Sequence, residues 1–280
     1  MKSLVNKLNT EKILSREEFK LLIENRSEIS DYLFEKSRAV SLSVFKNKIY
    51  VRGLIEISSF CKNNCYYCGI RHDNKNAERY TLSIEEILSC CEAGYTLGYR
   101  TFVLQGGENG GYSDEKIAEL VSQIRKSYPD CAITLSLGEK PKAVYQSFFD
   151  AGADRYLLRH ETADEAHYRL LHPPEMSLSV RKQCLFDLKE IGYQTGTGFM
   201  VGSPFQTVEN IVSDLLFIHR LNPEMIGIGP YVTHKDTPFS DKKSGSWELT
   251  VFLIGVLRLM LPHSLIPATT ALATLSDTGR

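Results

Sequence analysis

The sequence lacks an excess of charge of either sign. Its formal net charge is −1 over 280 residues, which points neither to nucleic acid nor to an anionic membrane surface as a partner. Long hydrophobic runs are missing too. The longest, VFLIGVLRLMLP at 251–262, is short for a membrane span and contains Arg258. The opening stretch, MKSLVNKLNTEKILSREEF, alternates charged and apolar residues as an amphipathic helix does, without the apolar core of a secretory leader. These absences predict a cytoplasmic protein. The seven cysteines form no disulfide framework, because three of them fall within eight residues, which is ligand spacing. Cys90, Cys91, Cys131 and Cys184 lie in helix or strand patterns and read as small core residues. The glycine-rich GGENGG at 106–111 lacks the Lys-Ser/Thr of a P-loop and the spacing of a dinucleotide fingerprint. Composition is that of a globular chain long enough to bury a core without metal or disulfides.

Residues 1–48 read as a helical N-terminal extension, with Ser15 and Glu18 in capping-box spacing ahead of Phe19, Leu22 and Ile23. From 49 to 280 a second pattern repeats. Short runs rich in β-branched or aromatic residues (50–57, 101–105, 131–137, 155–159, 195–201, 225–229 and 265–270) alternate with amphipathic segments at 83–98, 114–128, 142–152, 178–192 and 208–221. Gly98, Gly152 and Gly192 close three of those helices. Strict alternation implies parallel strands with crossover helices. About seven strands predict an α/β fold of the (β/α)8 TIM-barrel type, incomplete at the C-terminal end. In such barrels the chemistry sits on loops after the strands. The informative residues fall there: Cys61–Cys68 after the first strand, then QGGE (105–108), SLGE (136–139) and RHE (159–161).

The segment CKNNCYYCGI is C-x3-C-x2-C. Thiolates are soft ligands that suit iron–sulfur clusters, zinc or copper(I). Three of them on a 4Fe–4S cluster leave one iron without a protein ligand, and an open position is what a catalytic site needs. With His72 the same residues could instead make a closed Cys3His zinc site, or the segment could serve electron transfer.

C-x3-C-x-aromatic-C after a first barrel strand, with Tyr67 as the aromatic, resembles the signature of the radical S-adenosylmethionine (SAM) superfamily. The resemblance implies that Cys61, Cys65 and Cys68 hold a 4Fe–4S cluster whose open iron is chelated by SAM. It also implies that one electron cleaves SAM to a 5′-deoxyadenosyl radical. Tyr67 would lie beside the adenine. QGGE (Gln105, Gly106, Gly107, Glu108) resembles the family's Gly-Gly-Glu motif, with Glu108 on the methionine amino group, and Ser136 of SLGE would join it. Longer strings narrow the choice. CKNNCYYCGIRHDNKNAERY, TLSLGE, AGADRYLLRHETA, GIGPYVTHKDTP and IPATTA resemble the HydE family of [FeFe]-hydrogenase maturases, from about Arg52 to the last residue.

That resemblance implies that Glu161 binds the ribose or methionine part of SAM and Arg181 its carboxylate. Thr134, Arg159, Thr269 and Thr270 would face the substrate, with Arg155 deeper in the same cavity. It further implies a small iron-containing substrate delivered by a tyrosine-lyase-type partner maturase, a scaffold maturase that receives the product, and a flavodoxin or ferredoxin reductant. Related radical enzymes of the biotin synthase or methylornithine synthase type share the Cys triplet without the longer strings. Arg155–Glu161 could also form a structural ion network, and Thr269 and Thr270 could be plain strand residues. Phe205 stands where the family's MVG-x-P-x-QT loop has Gly, and Gly106 where Ser is common. Family members continue through an eighth strand and, in many, a second Cys triplet. This chain is therefore expected to leave an open edge beside its first strand.

Overall fold

The structure, a computed structural model, describes residues 1–108 and 111–275. Asn109 and Gly110 of the GGENGG segment lie outside the described residues. Three helices come first: α1 (Lys2–Glu11), α2 (Arg16–Glu24) and α3 (Arg26–Phe45). Then follow β1 (Gly53–Ser58), α4 (Ile84–Thr96), β2 (Thr101–Gly106), α5 (Asp114–Ser127), β3 (Ala132–Ser136), α6 (Lys142–Asp150), β4 (Arg155–Leu157), α7 (Glu165–Leu171), α8 (Leu178–Ile191) and β5 (Gln194–Thr197). The chain goes on through β6 (Met200–Val201), α9 (Val208–Leu221), β7 (Met225–Ile226), β8 (Gly229–Pro230), α10 (Trp247–Met260) and α11 (Thr270–Leu275).

The main sheet is parallel, in the order β1-β2-β3-β4-β5-β7, while β6 and β8 pair separately. This is the α/β barrel-type architecture that the alternation predicts, and among the described residues it is open between β1 and β7. Side chains alternate faces along each strand. Phe102, Leu104, Ile133, Leu135 and Tyr156 join the helix-side core with Ile87, Leu120 and Leu188. Their neighbours Val103, Thr134 and Arg155 point to the inner face. Helix starts are set by side-chain caps: Ser15 with Glu18 on α2 and Ser83 with Glu86 on α4 are complete capping boxes. A second core, including Phe19, Leu22, Leu33, Leu215 and Phe252, joins α1–α3 to α9 and α10.

Two expectations fail for physical reasons, at 265–270 and at Cys90. The run at 265–270 is no strand: Leu265 makes one bridge to Met225, Pro267 cannot donate to a ladder, and α11 begins at Thr270. The apolar run at 251–262 is mostly α10, a core helix apolar nearly all round. Arg258 Nη1 bonds the Pro262 and Ser264 carbonyls, both at 2.8 Å. Among the described residues no helix is long and apolar enough to cross a membrane. Cys91, Cys131 and Cys184 are buried as expected, but Cys90 is exposed, because adjacent helix residues do not share a face.

Phe205 is 54% exposed and adopts φ 66°. A side chain in that left-handed region costs about 1–2 kcal/mol, and the ring's edge contact with Phe239 (5.9 Å) offsets only part of it. Phe205→Gly is expected to raise stability by about 1 kcal/mol, read as a higher thermal midpoint. A lower midpoint would mean that the aromatic contact outweighs the strain.

Candidate active site

The loop after β1 carries the three cysteines and has little regular structure, so other groups must hold it. Arg79 does most of this. Its guanidinium donates to the carbonyls of Ser59 (2.6 Å), Ile70 (3.0 Å), Arg71 (2.7 Å) and Asn74 (3.2 Å). A rigid fork of five donors suits that task and an ammonium does not. Buried Asn74 donates to the Gly69 carbonyl at 2.6 Å, and the Tyr66 N–H ties the loop to Leu171 of α7 at 3.0 Å. Arg79→Ala is expected to leave a folded chain that reconstitutes with less than about half the iron, since four carbonyls lose a charged donor. Unchanged iron uptake would show that the backbone contacts suffice.

Burial pushes the Cys65 thiol up to about 12 and the Cys68 thiol up to about 11. Both hold their protons at neutral pH, so a metal must displace them on binding. Cys65 Sγ also lies 3.7 Å from Met176 Sδ. His72, the fourth ligand of the zinc alternative, is exposed and pairs with Asp73 at 3.0 Å. Among the described residues, no three or more Cys, His, Asp or Glu side chains converge as a single ion would require. A cluster puts each thiolate on a different iron, so its ligands need not converge.

The QGGE segment lies flat against this loop. A Cβ at Gly107 would run into the Phe60 carbonyl oxygen and Cys61 Cβ. Glu108 is 5% exposed and takes Lys62 Nζ on Oε1 at 2.9 Å. Its Oε2 accepts the Glu139 N–H at 2.9 Å. That approach needs Gly138 at φ 79°, because any side chain there would overlap the Glu108 carboxylate. Glu139 in turn meets Arg181 of α8, Oε1 to Nε, at 2.5 Å, close for an ion pair but not aligned as a hydrogen bond. Burial alone would lower the Arg181 pKa; Glu139 and the surrounding oxygens outweigh it, so the guanidinium is held firmly charged. These groups border a cavity of about 310 Å³ lined by Lys62, Asn64, Glu108, Glu139, Met176 and Ser177, among others.

Tyr67 closes the other side. Its hydroxyl lies 3.1 Å from His172 Nε2, while His172 Nδ1 lies 3.0 Å from the Tyr168 carbonyl. A carbonyl only accepts, so Nδ1 carries the proton and Tyr67 donates to Nε2. Burial pushes His172 down to about 3, consistent with this neutral tautomer. The Tyr168 ring stacks on His172 at 3.9 Å, and among the described residues its buried hydroxyl has no well-formed hydrogen bond.

At the end of β4, Arg159 Nη2 pairs with Glu161 Oε2 at 3.1 Å. Glu161 is near enough to act on Tyr67 and Cys68 electrostatically. Gln105 and Ser136 face each other in register on β2 and β3, and Thr134 is 2% exposed on β3. Thr269 Oγ1 is buried beside Gly229, without a hydrogen-bond partner among the described residues. The structure therefore sets Gly107 against Cys61, puts Glu108 and Glu139 on the cavity with Arg181 paired to Glu139, and brings Glu161, paired to Arg159, near Tyr67 and Cys68. Two of the expected positions lie apart from these, Arg155 deeper among the strands and Thr270 at the surface. Arg155 opens β4 and bonds Gln194 (2.7 Å) and Thr101 (3.5 Å) at the strands' N-terminal ends. Thr270 is exposed at the start of α11. The ion pair foreseen as Arg155–Glu161 is instead Arg159–Glu161. Arg79, Lys62, Tyr168 and His172 went unnoticed in the sequence, and Glu139 was noticed only as part of SLGE. Only the nearness of Glu139 to that motif could have signalled its pairing.

Parallel strands ringed by helices, with chemistry confined to loops after the strands, define a barrel-type enzyme built around a three-cysteine loop. The chain belongs to the radical SAM superfamily, which its residues 55–218 match. It is 43% identical over 251 residues to the [FeFe] hydrogenase maturase subunit HydE of Thermotoga maritima, spanning 90% of this chain and 71% of that one. Methylornithine synthase (PylB) superposes with a TM-score of 0.85 at 26% identity, covering 95% of this chain and 78% of that structure. HydG, another maturase of the [FeFe]-hydrogenase, gives a TM-score of 0.81 at 20% identity over 94% of this chain and 61% of its own, a likeness of fold alone.

Membership makes this chain a radical SAM enzyme and implies a 4Fe–4S cluster and SAM. The residues present fit both. The donor set is all sulfur, Gly107 leaves no side chain over the cysteine loop, and the neighbouring cavity is polar. Among the described residues, buried atoms of Arg181, Glu139, Tyr168, Arg159 and Glu161 lack well-formed protein hydrogen bonds.

Proposed function

We propose that this enzyme reductively cleaves SAM and uses the radical chemistry to help build the diiron subcluster of the [FeFe]-hydrogenase H-cluster. The observation that carries this reading is the 43% identity to HydE sustained over 90% of the chain. When bound and reduced, the cluster supplies the electron that splits the sulfonium into methionine and a 5′-deoxyadenosyl radical.

The chain's own residues do the rest. Cys61, Cys65 and Cys68 give up their protons to hold the metal. Glu108 offers a buried carboxylate to the methionine amino group, with Lys62 and the Glu139 N–H fixing its orientation. Arg181, already charged and aimed by Glu139, takes the methionine carboxylate, which a guanidinium can grip at two points. Tyr67, locked by His172, flanks the adenine, and Glu161 binds ribose or methionine oxygens. Gln105, Gly106 and Ser136 line the same strand ends. Arg159, Thr134 and Thr269 present donors toward the substrate, with Arg155 deeper among the strands, while Thr270 takes no part. The surrounding fold excludes water from a reactive radical. The partners follow from the same reading. A tyrosine-lyase-type maturase supplies a small iron-containing substrate, a scaffold maturase takes the product, and a flavodoxin or ferredoxin delivers electrons, all in the cytoplasm.

The similarity to PylB keeps methylornithine formation as a second reading. Complementation separates the two. The gene is expected to restore hydrogenase activity to a strain lacking its HydE and to give no growth to one needing methylornithine synthase. The reverse outcome would overturn the proposal.

A further inference from the structure

We propose that Asp214 and His160 form a positioning device for Glu161, clamping both shoulders of the turn after β4 and holding Glu161 in its left-handed conformation. Glu161 has φ 62°, a strained state for a residue with a side chain. In that state its carboxylate meets Arg159. A relaxed φ would swing it away, so something must impose the strain.

The imposing contacts come from behind the strand. Arg159 and Glu161 are partly exposed and pair with each other, while His160 between them is fully buried. His160 Nδ1 lies 2.9 Å from Thr197 Oγ1, whose hydroxyl donates to the Leu158 carbonyl at 3.1 Å. Nδ1 is therefore the donor. His160 Nε2, left as an acceptor, faces Asp214 Oδ1 of α9 at 3.3 Å without alignment as a hydrogen bond. The contact is attractive because burial favours the protonated carboxyl, which supplies the hydrogen. The same oxygen accepts the Ala163 N–H at 2.5 Å. One carboxyl thus grips the residue before Glu161 through its side chain and the turn after it through its backbone. Glu161 itself is pinned between Gly198, which accepts its N–H at 3.1 Å, and Met200, which donates to its carbonyl at 3.3 Å.

Asp214 has no place in this core on packing grounds. It is 0% exposed among Ile211, Val212, Leu215 and Ile218 of a helix whose inward face is otherwise largely apolar. A buried carboxyl needs partners to be tolerated, and an apolar side chain would fill the space at less cost. Lys182, the cation that acts on Asp214, donates to the Ala163 carbonyl at 2.8 Å, at the same shoulder of the turn, and Arg159 and Arg181 also act on His160. All three polar side chains converge on residues 160–163.

The proposal rests on Glu161 being a cofactor residue only for its functional consequence, and the test separates the two. Thermal midpoints of the metal-free full chain are compared for Asp214→Ala in the native background and in Glu161→Gly, where glycine takes the left-handed conformation without strain. The clamp predicts that Asp214→Ala lowers the midpoint more in the glycine background, because in the native background losing the clamp also lets Glu161 relax and returns part of the strain. Equal losses in both backgrounds would overturn it. If Asp214→Ala does not fold, His160→Phe, which keeps the ring but loses both polar contacts, carries the same comparison. On reconstituted protein, SAM is then titrated against the reduced cluster's EPR signal. Asp214→Ala and Glu161→Gln are each expected to weaken SAM binding about tenfold or more. Coupled midpoints with unchanged SAM binding in Glu161→Gln would leave the clamp standing and remove Glu161 from the cofactor site.

Discussion

Cys65→Ser is expected to reduce the iron held after anaerobic reconstitution from about four atoms per chain to less than about one. A serine hydroxyl is a hard, weakly acidic ligand, and a soft cluster iron binds it far less well than a thiolate. Cys65 has no substitute nearby. His72, the other donor on the loop, is turned to Asp73 and solvent, and Met176 Sδ at 3.7 Å is a neutral thioether. The loop itself should survive the change, because Arg79 and Asn74 hold it through backbone carbonyls rather than through the sulfurs. Cys90→Ser is the matched control. Cys90 is exposed on α4, and its loss should leave iron content unchanged. Iron and sulfide analysis of the two variants checks the pair of expectations. Full iron retention in Cys65→Ser would remove that residue from the ligand set.

Arg181→Leu carries the second large effect. The Arg181 and Glu139 side chains are only 11% and 19% exposed, so solvent screens their pairing little. Removing the cation strands a buried carboxylate, which costs about 3–5 kcal/mol. Denaturant unfolding of the metal-free chain should show that loss. The double replacement Arg181→Leu with Glu139→Leu should recover most of it, since an apolar pair of similar volume carries no desolvation penalty. SAM binding should stay weak in both, because stability returns and the guanidinium does not. Arg181→Lys should keep much of the stability and lose affinity, as a single ammonium cannot grip a carboxylate at two points. Recovery of SAM affinity in the double variant would show that Arg181 serves the fold alone.

The alternation of elements was legible because local signals agreed with the tertiary ones. Phe102 and Leu104 face helices while Val103 between them faces inward, and Ser15 with Glu18 marks the start of α2 in sequence as in structure. The expected strand at 265–270 failed because Pro267 ends the ladder after one bridge, although the flanking residues have strand character. At the site, the cysteines, Tyr67 and QGGE announce themselves by spacing. Arg79, His172 and Tyr168 do not, because each works through a contact that only folding creates. A lone arginine in a loop looks like a solvated charge until its four carbonyls are in place. Strand parity puts Arg155 on the inner face, and its register with Thr134 and Gln194 sets its height, deeper among the strands than the cysteine loop.

Cleavage of SAM is the claim on which the rest depends. The direct measurement is a single anaerobic assay: the reconstituted chain, dithionite and SAM, with methionine and 5′-deoxyadenosine quantified together. The account predicts both products in about equal amounts, only when the cluster is reduced, together with a change in the cluster's EPR signal when SAM is added. A reduced, iron-loaded chain that forms neither product, and whose EPR signal ignores SAM, would contradict it.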